Sequence, residues 1–180
     1  MNIESGNYIL DATNSSLGWK AAFKVGASHS GTIAIKNGNL NINSNTQVAS
    51  GEFIIDMTNI SEGSLSDEES KGKLIGHLMS DDFFSVEKFP IATLKIKEID
   101  DKNQVTADLT IKGITNEIQF PATITVVNDK LTAEASFEID RSLWDIRYGS
   151  GKFFKDLGDK LIKDEIDISL KIQATKQSIR

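Results

Sequence analysis

A chain of 180 residues, 39% hydrophobic and 26% charged, reads as one globular domain over 1–180, able to bury roughly 70% of its unfolded surface. A formal net charge of −6 without a Lys/Arg cluster excludes a nucleic-acid binder that works by neutralising phosphates; pairs such as Lys152 and Lys155 are too thin for that. The absence of cysteine excludes disulfides, thiolate metal sites and thiol nucleophiles. No apolar run nears the ~18 residues that span a bilayer, and MNIESGNYILD lacks the basic and apolar regions of a signal peptide. The expected location is the cytoplasm if Met1 is the native start, and the periplasm or cell envelope if a leader has been removed.

In chain order, the first strand is expected over residues 8–13, ended by Asn14-Ser15-Ser16. Trp19, Ala21, Phe23 and Val25 alternate with Lys20, Ala22 and Lys24, the pattern of a half-buried strand. Residues 26–30 form a turn-rich break. Ile33 and Ile35 alternate next, and Lys36-Asn37-Gly38-Asn39 predicts an Asn-Gly hairpin turn, with Leu40 and Ile42 returning beyond it. A long strand over residues 47–57 carries Val48, Ala49, Phe53 and Ile55, and Gly51 within it suggests a bulge or a close backbone approach.

After Ile60 the period changes. Ser66-Asp67-Glu68-Glu69 reads as a capping box, with Ser66 as the cap and Glu69 reaching back. The acidic first turn suits the positive end of a helix, and Leu74, Ile75 and Leu78 share one face over about three turns. The stretch LIGHLMSDDFFSVEKFP, residues 74–90, interrupts the alternation with His77, Asp81-Asp82 and Phe83-Phe84. Alternation then resumes in four runs. Ala92, Leu94 and Ile96 begin it, followed by Val105, Ala107, Leu109 and Ile111 up to Gly113. Ile118, Phe120, Ala122, Ile124 and Val126 lead to Asn128-Asp129, a hairpin signal, and Leu131, Ala133, Ala135, Phe137 and Ile139 return. An irregular, glycine-rich segment over 142–159 holds Trp144, Tyr148, Phe153 and Phe154. Ile166, Ile168, Leu170 and Ile172 close the chain.

Eight or nine strands joined mostly by short turns, with one helix, predict an all-β antiparallel architecture that rolls into a barrel or stacks as a sandwich. Repeated alanines on the inward phase (Ala92, Ala107, Ala122, Ala133, Ala135) either leave room for a ligand or face bulky residues across the core.

Chemistry is sparse. His29 and His77, the only histidines, match no metal-ligand spacing with Asp81 or Asp82. His77 as a base lacks a nucleophile, since Ser80 and Ser85 sit in no strand-turn-helix elbow. The Asp81-Asp82 pair fits a turn better than acid–base work. On an extended segment at most one of Phe83 and Phe84 can face inward. Trp144, Tyr148, Phe153 and Phe154 suit either packing or a mobile lid. Arg141 at the end of a strand serves either a ligand head group or a neighbouring carboxylate.

The run HLMSDDFFSVEKFPIATLKI, from His77 to Ile96, resembles the signature of the YceI-like family of lipid- and polyisoprenoid-binding proteins. Three other segments agree. Asp108-Leu109-Thr110-Ile111-Lys112-Gly113-Ile114-Thr115 resembles the family's D-L-T-I-x-G-V-T stretch. Gly51-Glu52-Phe53 with Asp56 and Ile60 resembles its G-x-F and D-x-x-S/T-I element. Ile139-Asp140-Arg141, with Trp144 and Ile146, resembles its late I-x-R-x-x-[FW]-x-I segment. His29-Ser30-Gly31 fits a branch with a G-x-H-x-G-like segment, whereas Asn14 stands where many members carry a histidine in D-x-x-H-S.

The resemblance implies a lipocalin-like antiparallel barrel of about eight strands that takes a long isoprenoid chain, often that of a quinone-like lipid. Members are commonly periplasmic or secreted. The function expected is non-enzymatic binding or transport of such a lipid, with no cofactor beyond a bound polyisoprenoid or isoprenoid quinone, no nucleic acid, and an edge that admits a homodimer. The expected lining is Trp19 and Phe23 from the second strand, Phe53 and Ile55 from the long strand, and Leu78, Phe83 and Phe84 from the interrupted stretch. Later strands supply Ala107, Leu109, Phe120, Ala122, Ala135 and Phe137, and the glycine-rich loop Trp144. His29, His77 and Arg141 form the expected polar rim. The alternatives are a hydrolase-like enzyme using His77 with Asp81 or Asp82, and a ligand-free structural or stress-response barrel.

Overall fold

The computed structural model describes residues 4–43 and 48–178. Nine strands and one α-helix follow one another as β1 (Gly6–Leu10), β2 (Ser16–Ala22), β3 (Ser28–Ile42), β4 (Val48–Ile60), α1 (Glu68–Met79), β5 (Ile91–Ile99), β6 (Gln104–Ile111), β7 (Ile114–Val127), β8 (Lys130–Asp140) and β9 (Glu165–Lys176). Gln47, expected to open the fourth strand, lies outside the described residues. Every pairing is antiparallel, and β2 to β9 close an eight-stranded ring through β9–β2. β1 bonds the same two neighbours, β3 and β9, further along, so β1 and β2 act as one stave broken at Asp11. Closure removes most of the sheet edge on which strands aggregate.

The alternation seen in the sequence becomes the inside and outside of this barrel. β6 is the cleanest case, with Val105, Ala107, Leu109 and Ile111 buried and the residues between them half-exposed. Outside, Lys97 bonds Asp108 and Glu117 on the next two strands. Asn128 and Asp129 both take positive φ, 50° and 62°, as the expected hairpin turn requires.

Several local expectations change, beginning with β2, which ends at Ala22 and leaves Val25, expected within that strand, exposed. Asn37-Gly38 is no turn: β3 runs unbroken through it, paired to β4 on both sides of a bulge between Ile35 and Asn37. The bulge shifts the inward phase by one residue, so Leu40 and Ile42 are buried like Ile33 and Ile35. Gly38 then faces inward opposite Phe53, whose ring occupies the space of a side chain; a Cβ on Gly38 would lie 2.3 Å from it. A similar bulge between Ile96 and Glu98 brings Ile99 inside. The helix cap is Asp67, one residue beyond the expected Ser66, and Asp67 accepts from the Ser70 amide at 2.8 Å. Gly51 does mark a close approach, with Leu40 and the Asn39 carbonyl 2.7 and 2.9 Å from where a Cβ would stand.

The two barrel ends differ. One carries short connections between β6 and β5, β7 and β8, and the outer ends of β1, β3 and β9. The other, here the helix end, carries α1, the β2–β3 turn, the Lys112-Gly113 turn and the 141–164 segment. There, residues 61–63 cross the inner side of β3 at Gly31: Ser61 donates to the Thr32 carbonyl and Gly63 to that of Ser30. Only glycine fits at position 31, because a Cβ would lie 1.8 Å from the Ser61 oxygen.

Candidate functional site: an apolar cavity along the barrel

The barrel is not filled. A cavity runs from Tyr8, Ile99, Leu131 and Ala174 at the hairpin end to Leu78, Phe83 and Phe84 at the helix end. The space open to the centre of a water-sized sphere is about 150 Å³. An engineered cavity of about that volume in another protein, lined by Leu, Ile and Phe, stays dry and takes benzene. Glu134 is the one charged residue at the wall, and it sits on the outward phase of β8. A water inside would therefore find almost no polar partner.

The void is lopsided. On β5 and β6 the inward residues are tightly buried, from Ala92 to Ile111. On β7, β8 and β9 the inward Ile118, Ala122, Ala133, Ala135, Ile168 and Leu170 remain half-buried. Small side chains contribute at Ala122, which pairs directly with Ala135, and at Ala133.

Ala122 and Ala135 are also where β7 and β8 part. Residues 114–121 pair only with β6 and residues 136–140 only with β9. The seam is covered by Phe120 and Phe137, stacked at 4.2 Å and 14° between planes, and by Asn116, whose side-chain amide donates to the Leu143 carbonyl at 3.0 Å.

Of the residues expected to line an interior, Trp19, Phe53, Ile55, Leu78, Phe83 and Phe84 reach the cavity wall, as do Leu109, Phe120, Ala122, Ala135 and Phe137. Phe83 and Phe84 both do so because the chain there is a tight turn, closed by Phe84 to the Leu78 carbonyl and Ser85 to that of Ser80, so strand alternation does not apply. Three do not reach it. Ala107 is packed out of sight behind its neighbours. Phe23 lies beyond β2 in a bridge to Ile162, its ring edge-on to His29. Trp144 is fully buried outside the cavity, where its indole N–H donates to the Leu109 carbonyl at 3.0 Å. The alternation missed Tyr8, Leu10, Leu17 and Met57 as wall residues; each was legible as an inward position of its strand.

The three polar residues expected at a rim all sit at the helix end, in different roles. His29 lies 3.9 Å from Glu62 and 3.3 Å from the Ser64 hydroxyl. The Glu62 carboxylate accepts from the amides of Ser64 and Leu65 and from the Ser64 hydroxyl. Burial pushes its pKa up, but those hydrogen bonds and the neighbouring His29 outweigh burial and hold it below the usual range. His77 packs edge-on against Tyr148 at 4.4 Å and Phe83 at 5.4 Å, and its Nε2 is 3.8 Å from Asp82, too far for a hydrogen bond. The Ser80 hydroxyl donates to the His77 carbonyl, and Asp81 is held ionised by Lys88 and Ser85.

Arg141 is 1% exposed and spent on its own chain: Nε donates to Lys163, Nη1 to Ile146 and Nη2 to Ile162, all carbonyls, while Asp164 lies 3.6 Å away. Its guanidinium also sits 5.6 Å from the centre of the Phe83 ring. Backbone carbonyls take all its hydrogen bonds, a role that neither expected alternative named, and the carboxylate of Asp164 adds only an ion-pair contact. Among the described residues, no three His, Asp or Glu side chains gather as a metal site, and no helix is long and apolar enough to cross a membrane.

Below neutral pH the carboxylates set the stability. Asp11, Glu62, Asp67, Asp81 and Asp140 are all held below their usual values; for Asp140, burial raises the pKa but is outweighed by hydrogen bonds from Lys152 and Ser142. A lowered folded-state pKa contributes stability that is complete above the unfolded value of about 4 and lost as pH falls through the folded value. The thermal midpoint should therefore stay flat from neutrality to about pH 5 and fall below about pH 4. A midpoint that rises on acidification below that value would contradict these assignments.

The YceI-like domain model matches residues 8–174. The chain belongs to the YceI-like family. Solved structures agree on the barrel. Burkholderia cenocepacia BcnA is 22% identical, with 92% of this chain and 99% of that one covered at a TM-score of 0.70. A polyisoprenoid-binding domain from Saccharophagus degradans, implicated in plant cell wall breakdown, is 12% identical, covering 97% and 100% at 0.69. The Campylobacter jejuni YCEI protein is 18% identical, covering 88% and 85% at 0.59. No curated protein matches the sequence. This YceI-like chain thus has the closed antiparallel barrel shared by these solved structures.

Proposed function

We propose that this YceI-like protein is a non-enzymatic carrier that holds one long aliphatic chain, of isoprenoid type, inside its barrel. The observation that carries this reading is the cavity, about 150 Å³ and walled by apolar side chains drawn from both ends of the barrel. The solved Saccharophagus degradans domain, described as polyisoprenoid-binding, has the same fold and favours the same class of ligand.

The energetics fit a carrier that reads the tail. Each buried CH2 contributes about 0.8 kcal/mol, so one five-carbon unit contributes roughly 3–4 kcal/mol at most. Ordering the tail and fixing the complex offset several kcal/mol of this. The open space matches about one such unit, so further units enter as the half-buried side chains of β7 to β9 move aside, and no strong head-group site is needed. Arg141, the one fully buried cation among the described residues, is already committed to the protein's own carbonyls. The surroundings of His77 favour binding over hydrolysis, because the Ser80 hydroxyl is turned to a backbone carbonyl and Asp82 stands off its ring. A carrier of this kind belongs in the periplasm or cell envelope, where such lipids are moved between membranes.

Native mass spectrometry of the purified protein, before and after incubation with a polyprenyl quinone, tests the proposal. The expected result is a one-to-one adduct that survives gentle desolvation. No co-purified lipid and no uptake would reject the carrier in favour of a ligand-free barrel.

A further inference from the structure

Among the described residues, nine large hydrophobic side chains are strongly exposed, and seven of them lie at the helix end. Four come from the 141–164 segment: Leu143 is 55% exposed, Tyr148 45%, Phe153 41% and Phe154 49%. Val25, 65% exposed, tips the β2–β3 turn; Ile91 and Ile114 begin β5 and β7 at the same end. Only Ile9 and Val127 lie elsewhere. Single exposed apolar residues need no explanation, but a concentration at one end marks an interaction surface.

Charge points the same way. The whole chain carries a net −6, yet the 141–164 segment holds six basic side chains against four acidic ones, Asp145, Asp156, Asp159 and Asp164. Lys152 is bound to Asp140 and Arg147 to Asp145. Lys155, Lys160 and Lys163, with Lys24 on the adjoining turn, have no ion pair among the described residues. The turn and the segment are joined by the Lys24 amide donating to the Leu161 carbonyl and by the Phe23–Ile162 bridge. Phe153 and Phe154 are thus exposed between Lys152 and Lys155, with the Arg147 guanidinium 4.9 Å from the centre of the Phe153 ring, on a segment with a small basic excess. Aromatic rings that enter the acyl boundary, with lysines left at the head groups, are what an anionic bilayer selects.

We infer that the helix end docks on the surface of an anionic phospholipid bilayer, with Phe153 and Phe154 inserted and Lys155 and Lys160 at the head groups. The inference rests on the carrier reading, in that a chain-holding cavity must meet a bilayer to be filled or emptied. Phe83 and Phe84 line the cavity at this same end, and Tyr148 lies 6.0 Å from Phe83 between ring centres, so the docking surface adjoins the cavity.

Flotation of the full chain with vesicles of phosphatidylcholine and phosphatidylglycerol, against phosphatidylcholine alone, tests the inference. The anionic vesicles should carry the protein up at low salt and lose it at high salt. F153S/F154S should reduce binding at least about tenfold, since it removes two buried rings. K155Q/K160Q should reduce it roughly tenfold and flatten the salt dependence. V127S, at the opposite end, should change nothing. Uptake of polyprenyl quinone delivered from cyclodextrin, without vesicles, reports on the cavity separately. Uptake without wild-type flotation, or equal flotation of F153S/F154S and wild type, overturns docking and leaves the carrier standing. A loop that instead joined two copies of the chain would show as a fall in solution mass for F153S/F154S without vesicles, and it too overturns the inference.

Discussion

Replacing Ala122 and Ala135 together with phenylalanine is expected to abolish uptake of a long isoprenoid chain while leaving the barrel folded. The two alanines face each other across the last bonded pair of β7 and β8, on the half-buried side of the cavity. Both side chains line the cavity, and two rings would take up the open space beside them. Overpacking a tight core costs about 1–3 kcal/mol, but here the rings enter an existing void, so the urea midpoint should move little or rise. Quinone uptake by native mass spectrometry or quenching of Trp19, which lines the cavity, should fall at least about a hundredfold, the effect of losing a few buried CH2 groups at 0.8 kcal/mol each. Unchanged uptake would place the chain outside the barrel. Ala107→Phe is the matched contrast. Ala107 is fully buried with no void beside it, so the same ring there should destabilise the fold.

That contrast marks the limit of what the sequence could say. Two-residue alternation correctly ordered the strands from β5 to β9, because each run of inward residues had an outward polar run between its members. Period alone cannot distinguish an inward alanine beside a void from one pressed against a neighbour, so Ala107 and Ala135 looked alike. Lys36-Asn37-Gly38-Asn39 looked like a hairpin because its residues satisfy a turn locally. The competing demand was tertiary: Phe53 needed a glycine opposite it, and a bulge preserved the inward phase of Leu40 and Ile42. Asp67 displaced Ser66 as helix cap by a single residue, which side-chain chemistry cannot decide because both are good caps. Phe83-Phe84 escaped the one-in, one-out expectation since that rule belongs to extended chain and the segment is a turn. Phe23 and Trp144 have the right chemistry for a wall but lie where β2 has ended and where the 141–164 segment turns outside the barrel.

Arg141→Met should destabilise the protein by about 3–5 kcal/mol, the largest single effect expected at the helix end. The guanidinium is the hub of the 141–164 segment, since three carbonyls spread from Ile146 to Lys163 converge on it. Burial works against its charge, and Asp164 then Asp140 work in favour. Methionine fills a similar volume but leaves those carbonyls without donors and the Asp164 carboxylate without its cation. Asp164 is already poorly provided for, because its Oδ1 has no hydrogen-bond donor beyond the charge 3.6 Å away, and Oδ2 is 4.0 Å from Lys152. Asp164→Asn in the Arg141→Met background should therefore recover part of the loss, with a coupling of at least about 1 kcal/mol in a double-mutant cycle of urea midpoints at constant m. The same substitution withdraws the cation from the Phe83 ring, so the helix end should loosen at the cavity wall as well. Hydrogen exchange at the Trp144 indole, bonded to Leu109 beside this hub, reports that loosening directly. A loss below about 1 kcal/mol with unchanged exchange would mean that the carbonyls are held by the packing of Trp144 and Ile146 alone.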